Sequence, residues 1–208
     1  MENKRQEIIQ HAAALFLQYG IKSVSMDDLA RELGMSKRTL YLYVKDKYDV
    51  VKSVLAHKLK LFTDLLAVFH DQNANAIEQF RNYSDDIEKN FPKINPSMHY
   101  DLRKFYPALL DENTKTVEEQ VQAAIIANLK QGMREGFYQP DIDPEVISVL
   151  QIIYQNFLFE RSNKLTDNYL LIDKHVVEQV YKYHFRGICT TKGIEELKRV
   201  FAFHNSNK

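Results

Sequence analysis

A single cysteine, Cys189, among 208 residues excludes an intrachain disulfide framework and fits a reducing compartment, with a buried thiol as its plainest role. No run of about 18 apolar residues occurs and the N-terminus is polar and charged, so neither a membrane span nor a signal peptide is expected and the chain reads as cytoplasmic. Missing too are a GxSxG elbow, a P-loop, GxGxxG behind a strand, HExxH and a cysteine pair. The seven histidines are scattered. Catalysis, a bound metal and a cofactor are therefore not expected. No strand pattern interrupts the chain, which points to an all-α protein. Net charge is zero, which counts against nucleic acid as a partner until its distribution is considered. Residues 1–60 hold 11 Lys and Arg against 7 Asp and Glu, whereas residues 61–208 hold 17 against 21. Positive charge is gathered at the N-terminal end, where it suits an electrostatic grip.

Residues 24–49, VSMDDLARELGMSKRTLYLYVKDKYD, carry the clearest local code. Ser25 is placed to cap a short helix whose first turn holds Asp27 and Asp28, where negative charge suits the helix dipole. Leu29, Ala30 and Leu33 share one face, and Gly34 supplies the left-handed residue that ends the helix. Ser36 caps a second short helix expected over 37–43, with Leu40 facing inward beside Val44. Lys37, Arg38, Thr39, Tyr41 and Tyr43 are left outside. Helix, tight turn and a second helix with a basic, polar first turn form a helix-turn-helix, whose second helix fits the major groove and presents donors to base edges. Asp46 caps the next helix, and Lys47 at its start is suited to a phosphate. Lys4 and Arg5 are further candidates for the DNA backbone.

From Arg5 to about Val54 the sequence resembles the tetracycline-repressor (TetR) family of bacterial transcription regulators. The resemblance rests on an apolar first helix with Ile8, Ile9, Ala12, Ala13, Leu15 and Phe16, then Tyr19-Gly20, the Ser25 to Leu33 stretch, Gly34-Met35-Ser36, Thr39-Leu40-Tyr41, Tyr43 and Asp46-Lys47. It implies a homodimeric repressor that grips double-stranded, palindromic operator DNA and senses a ligand with a C-terminal helical domain. On that reading residues 1–46 are the DNA-binding domain and residues 47–208 the ligand-binding and dimerisation domain, the two joined by a long helix. Ser25, Ser36, Lys37, Arg38, Thr39, Tyr41, Tyr43 and Lys47 are the expected DNA-contacting residues. The chain departs from the family at Arg38, where a small residue is common, at Val44, where Phe is usual, and at Tyr48, where Glu is frequent, so no relative's operator carries over.

Beyond Lys47 the apolar spacing predicts a helix to about Phe69, a break near Asn73 and Asn75, a helix over 77–91 and a loop over 91–96. A helix from Ser97 or Asn95 would be kinked by Pro107, and another would begin at Asn113 or Thr114 and close at Gly136. Asp143-Pro144 starts a strongly apolar helix over 145–159, Asp173 starts one over 174–189, and Thr190 or Thr191 starts the last, over 194–203. Ile152, Ile153, Phe157, Val177, Val180 and Tyr181 could line a four-helix interface between two chains or complete a monomer core. Aromatic residues in the C-terminal helices suggest a pocket for a small apolar or aromatic effector, with Tyr100, Phe105, Tyr106, Tyr154 and Phe157 as candidate lining. A helical protein-interaction module is the main competing class. Its docking helix would present an apolar face where this one presents Lys37, Arg38 and Thr39.

Overall fold

The computed structural model describes residues 2–90, 96–162 and 174–201. Among them are ten α-helices and no strand, apart from one isolated antiparallel bridge between Tyr138 and Cys189. No helix there is long and apolar enough to cross a membrane. The helices are α1 (Glu2–Tyr19), α2 (Met26–Glu32), α3 (Lys37–Leu40), α4 (Lys47–Leu66), α5 (Ala76–Asn90), α6 (Pro96–Phe105), α7 (Pro107–Glu135), α8 (Pro144–Ser162), α9 (Lys174–Ile188) and α10 (Thr191–Phe201), with a 3₁₀ turn over Ala67–His70.

The chain forms two compact units. The first joins residues 1–63 to residues 93–117, and the second joins 64–92 to 118–208. In the first, Ile8, Ile9, Ala12 and Phe16 of α1 pack with Leu29 and Ala30 of α2, Leu40 of α3 and Val50, Val51 and Val54 of α4. Met98 and Leu102 of α6 and Leu109 of α7 enter the same core. Periodicity alone could not assign these last residues to the N-terminal unit, because any apolar surface satisfies an amphipathic face.

A polar contact pins α6 there. The buried Asp101 carboxylate accepts a hydrogen bond from the Lys22 backbone N–H at 2.7 Å. Gly20 lies under the same turn of α6, where a Cβ would stand 3.1 Å from Ser97 Cβ and 3.2 Å from Asp101 Oδ2, so the absence of a side chain lets α1 and α6 meet.

Proline behaves differently from the expected kink. α6 stops at Phe105, Tyr106 separates the helices, and Pro107 is the first residue of α7, a position where its missing N–H costs nothing. No new start occurs at Asn113 or Thr114, since α7 runs unbroken to Glu135. α3 is shorter than its expected span, with residues 41–43 forming a turn. α4 ends at Leu66, three residues before Phe69, which sits in the 3₁₀ turn. Of the expected loop over 91–96, residues 91–95 lie outside the described residues and Pro96 is instead the first residue of α6, while the Asp173 cap and the end of the last helix past Phe201 also lie outside them.

In the second unit α5 packs with α10, and Phe80, Leu129, Tyr138, Phe185, Ile188 and Leu197 are buried. Cys189 is a buried free thiol, and burial pushes its pKa up to about 12. A linked set of amides crosses this core. Asn128 Nδ2 donates to Ala76 O (2.8 Å) and Gln79 Oε1 (3.0 Å), while Gln79 Nε2 donates to Asp71 O (2.8 Å) and Gln131 Oε1 (3.0 Å). Glu135 Oε2 accepts from the Ala76 N–H at 2.9 Å, placing a carboxylate on the N-terminus of α5. Every side chain in the set answers another or a backbone group, which is what makes buried amides tolerable.

Candidate nucleic-acid interface

Each helix of the α2–α3 pair starts with a serine because a helix start leaves N–H groups unpaired. Ser25 caps α2 by accepting from the Asp28 N–H at 3.1 Å, and Asp28 Oδ2 accepts in return from the Ser25 N–H at 2.9 Å. This reciprocal pair is a capping box in which Asp stands where Glu is commoner. The Ser25 hydroxyl, donating to Asp28 Oδ2 at 2.6 Å, and then the Ser25 N–H hold the Asp28 carboxyl below its ordinary value. Gly34, at φ +62°, turns the chain, and the Met35 N–H returns to Ala30 O at 3.0 Å. Ser36 Oγ then accepts from the Thr39 N–H at 3.0 Å and lies 2.8 Å from Thr39 Oγ1. Leu40 is fully buried and Val44 nearly so, which fixes the rotation of α3 about its axis.

That rotation leaves Ser36, Lys37, Arg38 and Tyr41 exposed and Thr39 and Tyr43 half-buried. Among the described residues Arg38 makes no hydrogen bond or ion pair within the chain. Lys37 is paired: its ammonium lies 2.9 Å from Asp27 Oδ2, and this partner holds its pKa above the usual lysine value. Both members are well exposed, so the pair can open toward a competing acceptor. Leu42, missed by the sequence reading, is 74% exposed at the end of this surface. An apolar side chain so placed can meet a thymine methyl. Helical spacing carried the signal, since residue 42 stands about 200° around a helix from the buried Leu40 and so faces away from the core.

The N-terminus of α4 completes the surface. Asp46 Oδ1 accepts from the Asp49 N–H at 2.8 Å as its cap. Lys47 is half-buried and its pKa is lowered, first by desolvation, with Asp101 and Asp28 opposing. Arg5, a candidate for the DNA backbone, is instead held inside the unit, donating to Asp49 Oδ1 at 3.0 Å and Ser53 Oγ at 2.7 Å. Lys4 pairs with Glu7 at 2.9 Å. Asp49 also accepts from the Lys45 N–H at 3.0 Å, so one carboxylate ties α1, the α3–α4 turn and α4 together. Side chains 44 residues apart make this joint, and no local pattern announces it.

The five aromatic residues named as candidate lining fall in different units. Tyr100 and Phe105 are exposed on α6, under Lys104, whose ammonium lies 5.3 and 5.4 Å from their ring centroids. Tyr106 packs against the first core, 6.0 Å from Tyr48. Tyr154 is half-buried and Phe157 exposed on α8, in the second unit. Along α8 and α9, Val146, Val149, Leu150, Ile153, Phe157 and Tyr183 are large apolar or aromatic side chains left open. Ile152, Val177, Val180 and Tyr181, named with them for a chain-to-chain interface, are half-buried.

Residues 8–54 match the family described as bacterial regulatory proteins, tetR family. An HTH-type transcriptional regulator of Staphylococcus aureus (strain USA300) is 30% identical over 102 residues, which are 49% of this chain and 48% of that protein. The chain thus spans about half the length of the curated relatives it matches. Among solved structures, regulatory protein TetR from Rhodobacter sphaeroides has a TM-score of 0.69 at 15% identity, over 88% of this chain and 97% of the other. A putative transcriptional regulator from Saccharomonospora viridis, solved in complex with choline, has a TM-score of 0.69 at 17% identity, over 91% and 100%. Identities this low speak for the fold: an N-terminal helix-turn-helix followed by a helical C-terminal part.

Proposed function

We propose that this chain, a TetR-family protein by its N-terminal domain and its fold, is a ligand-responsive repressor that acts in the cytoplasm as a homodimer on a palindromic operator. The observation that carries the DNA-binding half is the orientation of α3. Burial of Leu40 and Val44 turns Lys37, Arg38 and Tyr41 outward in one basic, polar surface beside Lys47. In this reading Lys37 and Arg38 meet base edges, Thr39 and Tyr43 flank them, and Tyr41 and Lys47 meet phosphates. Ser25 and Ser36 hold the two helix starts and offer their hydroxyls to the backbone. Residues 1–46, together with Lys47 at the start of α4, carry these contacts, and residues 47–208 carry dimerisation and effector binding.

Two copies are needed because one short helix covers few base pairs. Two recognition helices about 34–36 Å apart, or a multiple of that, read a two-fold site. The open apolar residues of α8 and α9 are the surface we assign to pairing, since a patch of this kind on a charged chain is an interaction site. A small apolar or aromatic effector bound within residues 47–208 would shift the population of DNA-competent dimers, and DNA would weaken effector binding by the same factor. A protein-docking role for α3 is disfavoured by the basic character of its exposed side.

The test is a salt titration of binding to DNA from upstream of the chain's own gene and to random DNA. Lys47→Ala is expected to weaken both and to lower the salt slope by about one, whereas Lys37→Ala is expected to weaken the specific site alone. Unchanged binding in both variants would refute the assignment. Sedimentation tests the dimer: a monomer at micromolar concentration, or a Val149→Asp variant that stays dimeric, would refute the α8–α9 face.

A further inference from the structure

Two polar atoms in the second unit stand out because neither has a partner. Among the described residues, Tyr154 Oη and His184 Nε2 are shielded from solvent and find no hydrogen-bond partner. Their rings face each other edge-on with centroids 5.1 Å apart. The surroundings are aromatic. Tyr154 meets Tyr181 at 6.0 Å, His184 meets Phe185 at 5.5 Å, and Phe80 meets Phe185 at 4.8 Å and Tyr181 at 5.6 Å. His184, whose ring faces Tyr154, is also one of the residues lining an open depression of about 360 Å³ beside the α8–α9 face, with Ile147, Tyr183, Arg186, Gly187 and Ile188.

We propose that Tyr154 and His184 hold an uncharged oxygen, a carbonyl or hydroxyl, of a neutral apolar effector. This rests on the effector reading above and specifies its chemistry. A pair of orphaned polar atoms is the reverse of the neighbouring amide set, in which Gln79, Asn128 and Gln131 answer one another. The chain satisfies its buried polar groups where it can, so the exception marks a place where a guest can supply the missing partner. A purely apolar guest would leave both atoms dry. An anion or cation would lose its hydration among rings. Arg81, the cation stacked on the cluster's edge 5.3 Å from the Phe201 centroid, is already bonded to Asp85 at 2.8 Å.

Burial keeps both hosts neutral, pushing the Tyr154 phenol far above its usual range and His184 down to about 4. The phenol therefore donates to the guest oxygen. The neutral imidazole donates to a carbonyl or accepts from a hydroxyl, according to its tautomer.

Calorimetry on the full chain with four compounds of one size tests this: acetophenone, 1-phenylethanol, ethylbenzene and benzoate. Acetophenone or 1-phenylethanol is expected to bind about tenfold more tightly than ethylbenzene, and benzoate least well. Which of the first two is preferred tells carbonyl from hydroxyl. Tyr154→Phe and His184→Phe are each expected to bring the oxygenated compounds toward ethylbenzene, with the melting temperature of the free protein unchanged or raised. Equal binding of all four, tighter binding of benzoate through the exposed Arg186, or a preference that survives both substitutions would overturn the proposal. So would a lowered melting temperature in Tyr154→Phe, which would mean that the hydroxyl is already bonded. Operator binding, measured in parallel, separates the two readings. DNA binding without discrimination among the compounds removes this site alone, and discrimination without any effect on DNA binding removes the ligand switch but keeps the site.

Discussion

Among the described residues, the N-terminal unit buries apolar side chains and one carboxylate, Asp101, while the second unit buries Gln79, Asn128, Ser148 and Gln151 and encloses a phenol and an imidazole without partners there. The polar groups of the first lie outside, in caps and ion pairs: Ser25 with Asp28, Ser36 with Thr39, Lys37 with Asp27. A surface that must match a duplex gains from a filled, inflexible core beneath it, because α3 is then presented in one orientation. Under the proposed function the second unit accepts a guest, and such a domain gains from internal polar atoms that can change partners. The same contrast separates two roles for hydrogen bonding. In the first unit it terminates helices and, through Arg5–Asp49 and Asp101, joins elements at their margins, whereas in the second it also links α5 to α7 side chain to side chain through the interior.

Leu40→Ala should produce the largest effect. It empties a fully enclosed site under α3, which is expected to cost about 2–5 kcal/mol in denaturant titrations and to abolish operator binding. Retention of native stability would mean that the first unit is not the close-packed one.

Acid should act on the second unit through His184. Its folded pKa of about 4 lies below the unfolded value near 6.5, so the unfolded chain takes up the proton first as pH falls. Stability contributed at pH above 6.5 is then lost between about 6.5 and 4, by about 3 kcal/mol at most. His184→Phe should flatten that part of a stability-versus-pH curve, and an unaltered curve would refute the burial of the ring.

Asn128→Ala removes the shared partner of Gln79, Ala76 and Tyr138. A loss of about 1–3 kcal/mol is expected, because it leaves those groups unanswered inside the second core. Ser25→Ala is expected to cost only about 1 kcal/mol, since water can reach the freed N–H groups of α2. If Ser25→Ala proved the costlier of the two, caps rather than interior amides would dominate and the contrast between the units would fail.

Local rules made α2, the Gly34 turn, both serine caps, the Asp46 cap and the inward side of Leu40 and Val44 legible in residue order, because each depends on neighbours within about four positions. The Asp143 cap of α8, whose Oδ1 accepts from the Glu145 and Val146 N–H groups, was legible for the same reason, as was a threonine start for α10, where Thr190 rather than Thr191 proves to be the cap. Pro107 was read as a kink because a proline amid apolar spacing can break a helix or start one. The structure makes it a start: α6 ends at Phe105, Tyr106 stands between, and Pro107 is the first residue of α7. Tertiary structure alone assigned Met98, Leu102 and Leu109 to the first core, brought Asp101 under Lys22 and Arg5 onto Asp49, and left Tyr154 and His184 facing each other unbonded. Those residues lie dozens of positions apart along the chain. An amphipathic face states that it will be buried without stating against what, and a polar side chain carries no local mark of whether its partner will be another residue, water or a guest.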